Sequence, residues 1–514
     1  MKFIFRKTGL IILIAIVSYT SIYAQEKPNI IFFLVDDMGW QDTSVPFWDK
    51  VTLANQKFHT PNMEKLAASG VKFTQAYANS ICTPSRVSLL SGTNVARHQV
   101  TNWTMFKDQS TDAANDSVLA APRWNVNGLS PDKATANAWY VTPLPQILKD
   151  HGYYTIQCGK AHFGADKTPG ANPLNLGFDK NIAGSAAGNP ASFLSEENYG
   201  NIKGKANLRA VPGLQKYWGT GTFLTEALTR EALLALDTAR MKQQPFFLYM
   251  SHFAVHLPFD ADQRFLDRYT HKGLTQQEAA YATLVEGMDK SLGDLMGYLD
   301  ENHLAKNTII VFMSDNGGFS RAPRMGKIDT QNLPLRAGKG SLYEGGIREP
   351  MMIRWPGVTR ANTSNDQYVV IEDFYPTLLE MAGIKQYKTV QKVDGQSMVP
   401  FIKGKRDQEK VLIWNFPNKW TASEDDENVS WLTAIRQGDW KLIYFQKFGR
   451  LELYNIKEDI GEQYDLSKKY PKRVKILADL LTKKLKESGA QLPNFKKTGL
   501  RVPFPNELLG NRAM

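Results

Sequence analysis

The 514-residue chain has very little cysteine: Cys82 and Cys158 are the only two. That excludes a fold stapled by several disulfides and leaves either one bridge between them or two core thiols. The chain also lacks any Lys/Arg block interleaved with aromatics, and any zinc-finger or helix-turn-helix pattern, which argues against a nucleic-acid partner. No internal repeat is present, so a solenoid is excluded. The one apolar run near the start, residues 10–17, is too short to cross a bilayer, so no stable membrane anchor is expected.

What is present is ordinary for a folded enzyme: 42% hydrophobic and 22% charged residues, with length for two domains. Lys2, Arg6 and Lys7 precede the apolar run, and residues 18–24 are small and mildly polar. This is the pattern of a secretory signal peptide, residues 1–24, so the chain is expected to be exported and periplasmic or secreted, in a bacterium. Without its three positive charges the net charge falls from +11 to +8, which suits an acidic partner.

Apolar runs of strand length at residues 29–35, 153–157, 246–250 and 308–313 alternate with helical patterns. Thr60-Pro61 and Thr142-Pro143 read as helix starts closed by Gly70 and Gly152, and residues 276–299 have helical spacing. The alternation predicts an α/β fold with a large, mainly parallel or mixed sheet sandwiched by helices. Ligands gather at the carboxyl ends of such strands. Asp36-Asp37, Lys160-Ala161-His162, His256 and Asp315-Asn316 all fall where strands should end. Beyond Ile402 the texture changes to charged loops, two antiparallel strand patterns and an amphipathic helix. Residues 25–404 are expected to form the catalytic domain and residues 405–514 a smaller α+β subdomain with an antiparallel sheet.

Cys82-Thr83-Pro84-Ser85-Arg86, continuing to Leu90-Ser91-Gly92, carries the chemistry. A helix starting there would aim its free N–H groups at an anion near position 82. Asp36, Asp37, Asp315 and Asn316 are hard oxygen donors suited to calcium or magnesium rather than zinc. Further on stand Gly159-Lys160-Ala161-His162, His252-Phe-Ala-Val-His256-Leu-Pro258 and Gly338-Lys339-Gly340-Ser341.

These motifs resemble the type I sulfatases of the alkaline phosphatase superfamily, whose signature C-x-P-S-R-x-x-x-L-[ST]-G is complete here. Two departures, Cys158 and Ala161, fall beside the second signature without touching Lys160 or His162. The resemblance implies that a maturating enzyme oxidises Cys82 to formylglycine (3-oxoalanine). Its hydrate would take the sulfonyl group in a covalent intermediate and release sulfate with the second hydroxyl. One calcium, ahead of magnesium, would be held by Asp36, Asp37, Asp315, Asn316 and residue 82. Lys160 and Lys339 would hold sulfonyl oxygens. His256 would protonate the leaving oxygen with help from Lys339, and His162 would act as base, although the two histidine roles are exchangeable on sequence alone. Arg86 would position residue 82. Arg97 and His98, just past the signature, would line the leaving-group subsite, and Trp103, Trp124, Trp139 and Trp218 would offer faces to sugar rings. The implied substrate is a sulfated mono- or oligosaccharide. The alternatives are a phosphodiesterase or phosphonate hydrolase on the same fold, or a glycan-binding homologue without activity.

Overall fold

The computed structural model describes residues 27–113, 116–320, 332–405, 410–420 and 428–510. The expected signal peptide, residues 1–24, lies outside the described residues, as does most of the acidic stretch 420–428. The main strands, in chain order, are β1 (Asn29–Val35), β2 (Val71–Tyr77), β3 (Tyr154–Gly159), β4 (Lys180–Ile182), β5 (Phe246–Ser251), β6 (Thr308–Ser314), β7 (Arg348–Arg354), β8 (Thr363–Asn365) and β9 (Val369–Val370). Among the described residues they form a nine-stranded sheet in the order β8-β2-β7-β6-β1-β5-β3-β4, with β9 also on β2. The run β6-β1-β5-β3-β4 is parallel, and β7 is antiparallel to β6 and β2.

The unbroken apolar sequence of β1 follows from its position at the centre of this sheet, with both faces covered. Ile31, Phe33 and Val35 face one helical layer, in which α4 (Leu224–Met241) and α5 (Gln276–Glu301) contribute Leu228, Leu236, Met288 and Leu292. Ile30, Phe32 and Leu34 point the other way. There they meet Val87 and Leu89 of α2 (Cys82–Ser91), Ile147 of α3 (Leu144–Asp150) and Leu378 of α6 (Phe374–Met381). Each such side chain contributes about 1.5–3 kcal/mol by leaving water, so the central strand is fixed in register by both layers.

Two helix starts differ in detail from the sequence reading. In α1 (Pro61–Ser69), Thr60 is the residue before the helix but does not cap it; its hydroxyl bonds those of Thr43 and Ser44 instead. The helix expected from Thr142-Pro143 starts at Leu144, with Pro143 still extended.

A second, antiparallel sheet follows: β10 (Val411–Phe416), β11 (Leu432–Gln437), β12 (Trp440–Phe445) and β13 (Arg450–Asn455), paired in that order. Its alternation decides what each face covers. Leu412, Trp414, Ala434 and Ile443 pack on Tyr77, Tyr343 and Val370 of the larger unit. Ile413, Ile435, Leu442 and Leu453 are covered by Val474, Leu477 and Leu481 of α7 (Pro471–Ser488).

Candidate active site

The carboxyl ends of β1, β3, β5 and β6 lie side by side, and backbone hydrogen bonds continue past the strand ends. Asp315 N donates to Val35 O (3.0 Å), Lys160 N to Ser251 O (2.7 Å) and Asp36 N to Ala254 O (3.0 Å). The four polar clusters expected at strand ends are therefore brought to one edge of the sheet. Gly159 is needed for this closeness: at φ +95° its Cβ would stand 2.0 Å from Ser251 O.

Cys82 is the first residue of α2, and it is buried. Burial pushes its thiol up, against the pull of Lys160 and Lys339 and with the push of Asp36 and Asp315. Both cysteines are free thiols, so a Cys82–Cys158 bridge is not formed; Cys158 donates to Leu228 O in the core.

Three carboxylates and three cations meet below Cys82, all nearly or fully buried. Arg86 donates through Nε to Asp315 Oδ2 (2.9 Å), with Nη2 at ion-pair distance from the same oxygen (2.8 Å), and through Nη1 to Ser251 Oγ (2.6 Å) and Lys160 O (2.9 Å). Burial alone would lower this guanidinium, but Asp315 and Asp36 hold it above its ordinary value. Lys160 Nζ lies 2.7 Å from Asp36 Oδ2, and Lys339 Nζ lies 2.6 Å from Asp37 Oδ1. Against burial, Lys339, His256 and Lys160 together hold Asp37 below the usual carboxylate range, whereas burial lifts Asp36 above it. Asp37 adopts φ +60°, a left-handed conformation that turns it toward the site and that aspartate tolerates better than most residues.

The donor set fits a hard divalent cation. Carboxylate oxygens of Asp36, Asp37 and Asp315 lie within 4.8 Å of one another. Asn316 spends its amide N–H on Asp37 Oδ1 (2.8 Å), and its own Oδ1 has no hydrogen-bond partner. Asp36 Oδ1 is also buried without a hydrogen-bond partner. Orphaned buried oxygens are costly unless something electropositive meets them, and an oxygen-only set of this kind suits calcium or magnesium.

The histidines differ in what their second nitrogen touches. His162 Nε2 lies 2.8 Å from Thr104 O, and a carbonyl only accepts, so Nε2 carries the hydrogen. Nδ1 therefore presents a lone pair, 3.5 Å from Cys82 Sγ. Burial, with Lys160 next, depresses this imidazole well below its ordinary value and keeps it neutral. His256 donates from Nδ1 to Leu257 O (2.9 Å) and turns Nε2 toward Asp37 Oδ2, 3.5 Å away. Burial lowers it to about 3, with Lys339 and Lys160 adding and Asp37 opposing. An imidazole at that value is neutral at neutral pH, with Nε2 presenting a lone pair toward Asp37.

Some contributors were not legible in the sequence. Thr83, Thr104 and Ser251 orient His162 and Arg86 and carry no motif of their own. Trp420, with Trp103, packs against the cluster of Ile81, Cys82 and Phe416. Its ring lies where a Cβ on Gly340 would be, 2.1 Å from Cε3, next to Lys339. Asp112 ties the two tryptophan loops together by accepting from Asn102 and Asn418 (both 2.9 Å). Of the four tryptophans expected near sugar, only Trp103 packs against this cluster. Trp139 and Trp218 pack on the two main cores, and Trp124 is buried, donating to Asp112.

Arg97 and His98 do not belong to this site. The short helix of residues 95–98 folds back against α2, and His98 reaches Ser88 midway along it rather than the carboxylates and lysines at the strand ends. His98 is fully buried, bonding Ser88 Oγ (3.0 Å) and accepting from Val100 N (3.0 Å), and Arg97 pairs with Asp394 (2.8 Å). Adjacency to the signature misled here because both side chains are already engaged by partners outside the carboxylate–lysine cluster.

Known proteins are similar to this chain in sequence and fold. Residues 28–384 match the family model described as Sulfatase, and residues 338–491 match the one described as N-sulphoglucosamine sulphohydrolase, C-terminal. A protein named Sulfatase from Formosa agariphila is 30% identical, over 95% of this chain and 94% of its own length. The N-acetylgalactosamine-6-sulfatase of Mus musculus is 30% identical, over 86% and 83%. Among solved structures, Ps i-CgsB has a TM-score of 0.72 at 27% identity, covering 95% of this chain and 98% of its own. The same protein has been solved with k-i-k-neocarrahexaose bound, at TM-score 0.70 and 26% identity, over 95% and 98%. A buried cysteine heading a helix, boxed by carboxylates and lysines at the strand ends, thus sits in a chain whose larger unit matches one family along its whole length: this protein is an enzyme of the sulfatase family.

Proposed function

We propose that the enzyme hydrolyses the sulfate ester of a sulfated carbohydrate, with residue 82 oxidised to formylglycine and one calcium held by Asp36, Asp37, Asp315 and Asn316. The observation that carries this reading is the meeting of four buried oxygen donors and two lysine ammoniums around the first residue of α2. When bound, calcium neutralises the carboxylates and polarises the oxygens directed at it. Formylglycine supplies, as its hydrate, an oxygen nucleophile that a thiol cannot replace and a second hydroxyl for regeneration.

The remaining chemistry belongs to the chain's own side chains. Lys160 and Lys339, aided by the first turn of α2, hold the anionic sulfonyl oxygens without reorganising. Arg86 locks Asp315 and the backbone of Lys160 in one rigid corner. The lone pair of His162 Nδ1 takes a proton from residue 82, while Thr104 keeps the tautomer. On the leaving-group side, His256 Nε2, having taken a proton from water as the ester's negative charge comes beside it, gives that proton to the departing oxygen, with Lys339 beside it.

The carbohydrate class rests on two supports. Relatives are named for sulfated sugars, and Trp103 with Trp420 offers an aromatic wall beside residue 82. Export through residues 1–24, a maturating enzyme acting on Cys82 and a catalytic unit ending near residue 404 belong to the same proposal. The test is turnover of a defined panel: 6-sulfated N-acetylgalactosamine and galactose, κ/ι-neocarrahexaose, 4-nitrophenyl sulfate and bis(4-nitrophenyl) phosphate. Release of sulfate from a sugar at a kcat/KM well above that for the phosphodiester supports the reading. Faster cleavage of the phosphodiester, or no sulfate release from any sugar, rejects it.

A further inference from the structure

The charge of this protein is unevenly distributed. Residues 468–501 contain eleven lysines and arginines against two carboxylates, a net +9 in a chain whose total is +11. Ten of those eleven cations are exposed and Lys484 is half-buried. Most of them stand on α7 or just beside it, while the helix's apolar face covers the outer side of the second sheet.

The placement is electrostatically unfavourable for the protein alone. Lys472, Lys475, Lys483 and Lys486 recur at helical spacing along one solvent face, broken only by Asp479. Like charges three or four residues apart oppose each other. Lys472 and Arg473 stand in the first turn, where no acidic residue is present, against the positive end of the helix dipole. Local compensation is thin. Lys475 pairs with Asp479 (2.8 Å), and Lys483 and Lys484 share Glu487 (3.9 and 3.6 Å). Among the described residues, Lys472 and Lys497 have no carboxylate within ion-pair distance. The stripe from Lys472 to Lys486 extends about 21 Å, longer than one sugar.

We propose that the outer face of α7, with the adjoining Lys496 and Lys497, is a binding surface for a polyanionic sulfated polysaccharide, separate from the catalytic site. The glycan class rests on the reading above; the surface itself rests on charge and exposure. The apolar sides of the second sheet orient it. Ile413 of β10 packs under α7, while Phe416, three residues on, packs against Cys82, so the strand joins the two regions over about 10 Å. A chain held on α7 would thus stay near the site between turnovers, raising the local concentration of ester groups. Only one arginine stands on α7, and the lysine stripe itself carries no aromatic residue. Compact ammonium charges, with Lys486 already over the Phe504 ring (4.9 Å), suit sulfate groups spread along a flexible chain better than bases or a duplex groove.

The experiment compares the full-length protein with K472Q/K475Q/K483Q/K486Q, all exposed positions, by binding to immobilised heparin and ι-carrageenan across a salt series. A second variant, K472E/K497E, reverses two exposed lysines without a carboxylate partner among the described residues, relieves the dipole conflict at the helix start and guards against misfolding of the first. Expected are salt-sensitive binding by the wild type, at least tenfold weaker binding with a shallower salt dependence in both variants, and unchanged turnover of 4-nitrophenyl sulfate. Desulfated heparin, duplex DNA and phosphatidylglycerol vesicles should each compete at least tenfold less well than the sulfated chains. Absence of wild-type binding, equal affinity in the variants, or equal competition by DNA or vesicles overturns the proposal. Binding is read without turnover, so an enzyme inactive on every sulfate ester would reject the catalytic reading and leave this result legible on its own.

Discussion

At the residue scale the site depends on buried charges that are never alone. Removing Arg86 leaves Asp315 in the interior without its guanidinium, so Arg86→Ala should lose about 3–5 kcal/mol of stability as well as activity, measurable by denaturant unfolding. His162→Ala should fold, since the ring's partners are a carbonyl and hydroxyls, and should lower kcat about 10²- to 10⁴-fold with little change in KM. Glu372 offers a test outside the site. It is 5% exposed, its Oε2 has no hydrogen-bond partner, and burial, with Asp373 next, raises its carboxyl to about 8. The folded value lies above the unfolded one, so the native state binds the extra proton and stability falls as pH rises from about 4.5 toward 8. Glu372→Gln should therefore raise Tm at pH 8 and leave it nearly unchanged at pH 4.5; an equal shift at both values would show that packing, not titration, is responsible.

At the element scale, the second sheet grips the lysine loop. Lys441 of β12 bonds Glu344 and Glu462 (both 2.9 Å), all three fully buried, and Glu344 begins the short helix after Lys339. Gly340 N donates to Ser80 O (2.7 Å), so the same loop is tied to the entrance of α2. Trp420, which leans on Gly340, comes from the loop after β10. Trp420→Ala should raise KM for a sulfated disaccharide at least tenfold while changing the inhibition constant of inorganic sulfate by less than twofold. Much of this level was legible beforehand where the signal is local. The β1 run is apolar because both faces are covered, and the residues of the signature lie on one helix. What escaped reading joins residues far apart in the chain, such as Asn418 with Asp112, 306 positions away, or Lys441 with Glu344, 97 positions away, for which composition and periodicity carry no signal. His98 escaped for the opposite reason: it lies against the signature helix, but its ring is buried on Ser88 and the amide of Val100 and does not join the carboxylates and lysines.

At the scale of the whole molecule, two sheets share one interface, and the site sits where the parallel strands end against it. Three carboxylates converge there, so a bound divalent cation links folding to metal concentration. Chelation should lower Tm and abolish sulfate release, both restored by added calcium; at metal a thousandfold above Kd the stabilisation is about 4 kcal/mol. In the proposed reaction all of the chemistry, however, passes through position 82. The most direct measurement is mass spectrometry of the peptide containing residue 82 from fully active enzyme, with hydrazide labelling counted against turnover. The account requires an aldehyde oxygen in place of sulfur, in a fraction that rises in proportion to activity. A fully active preparation whose residue 82 is an unmodified thiol would contradict it.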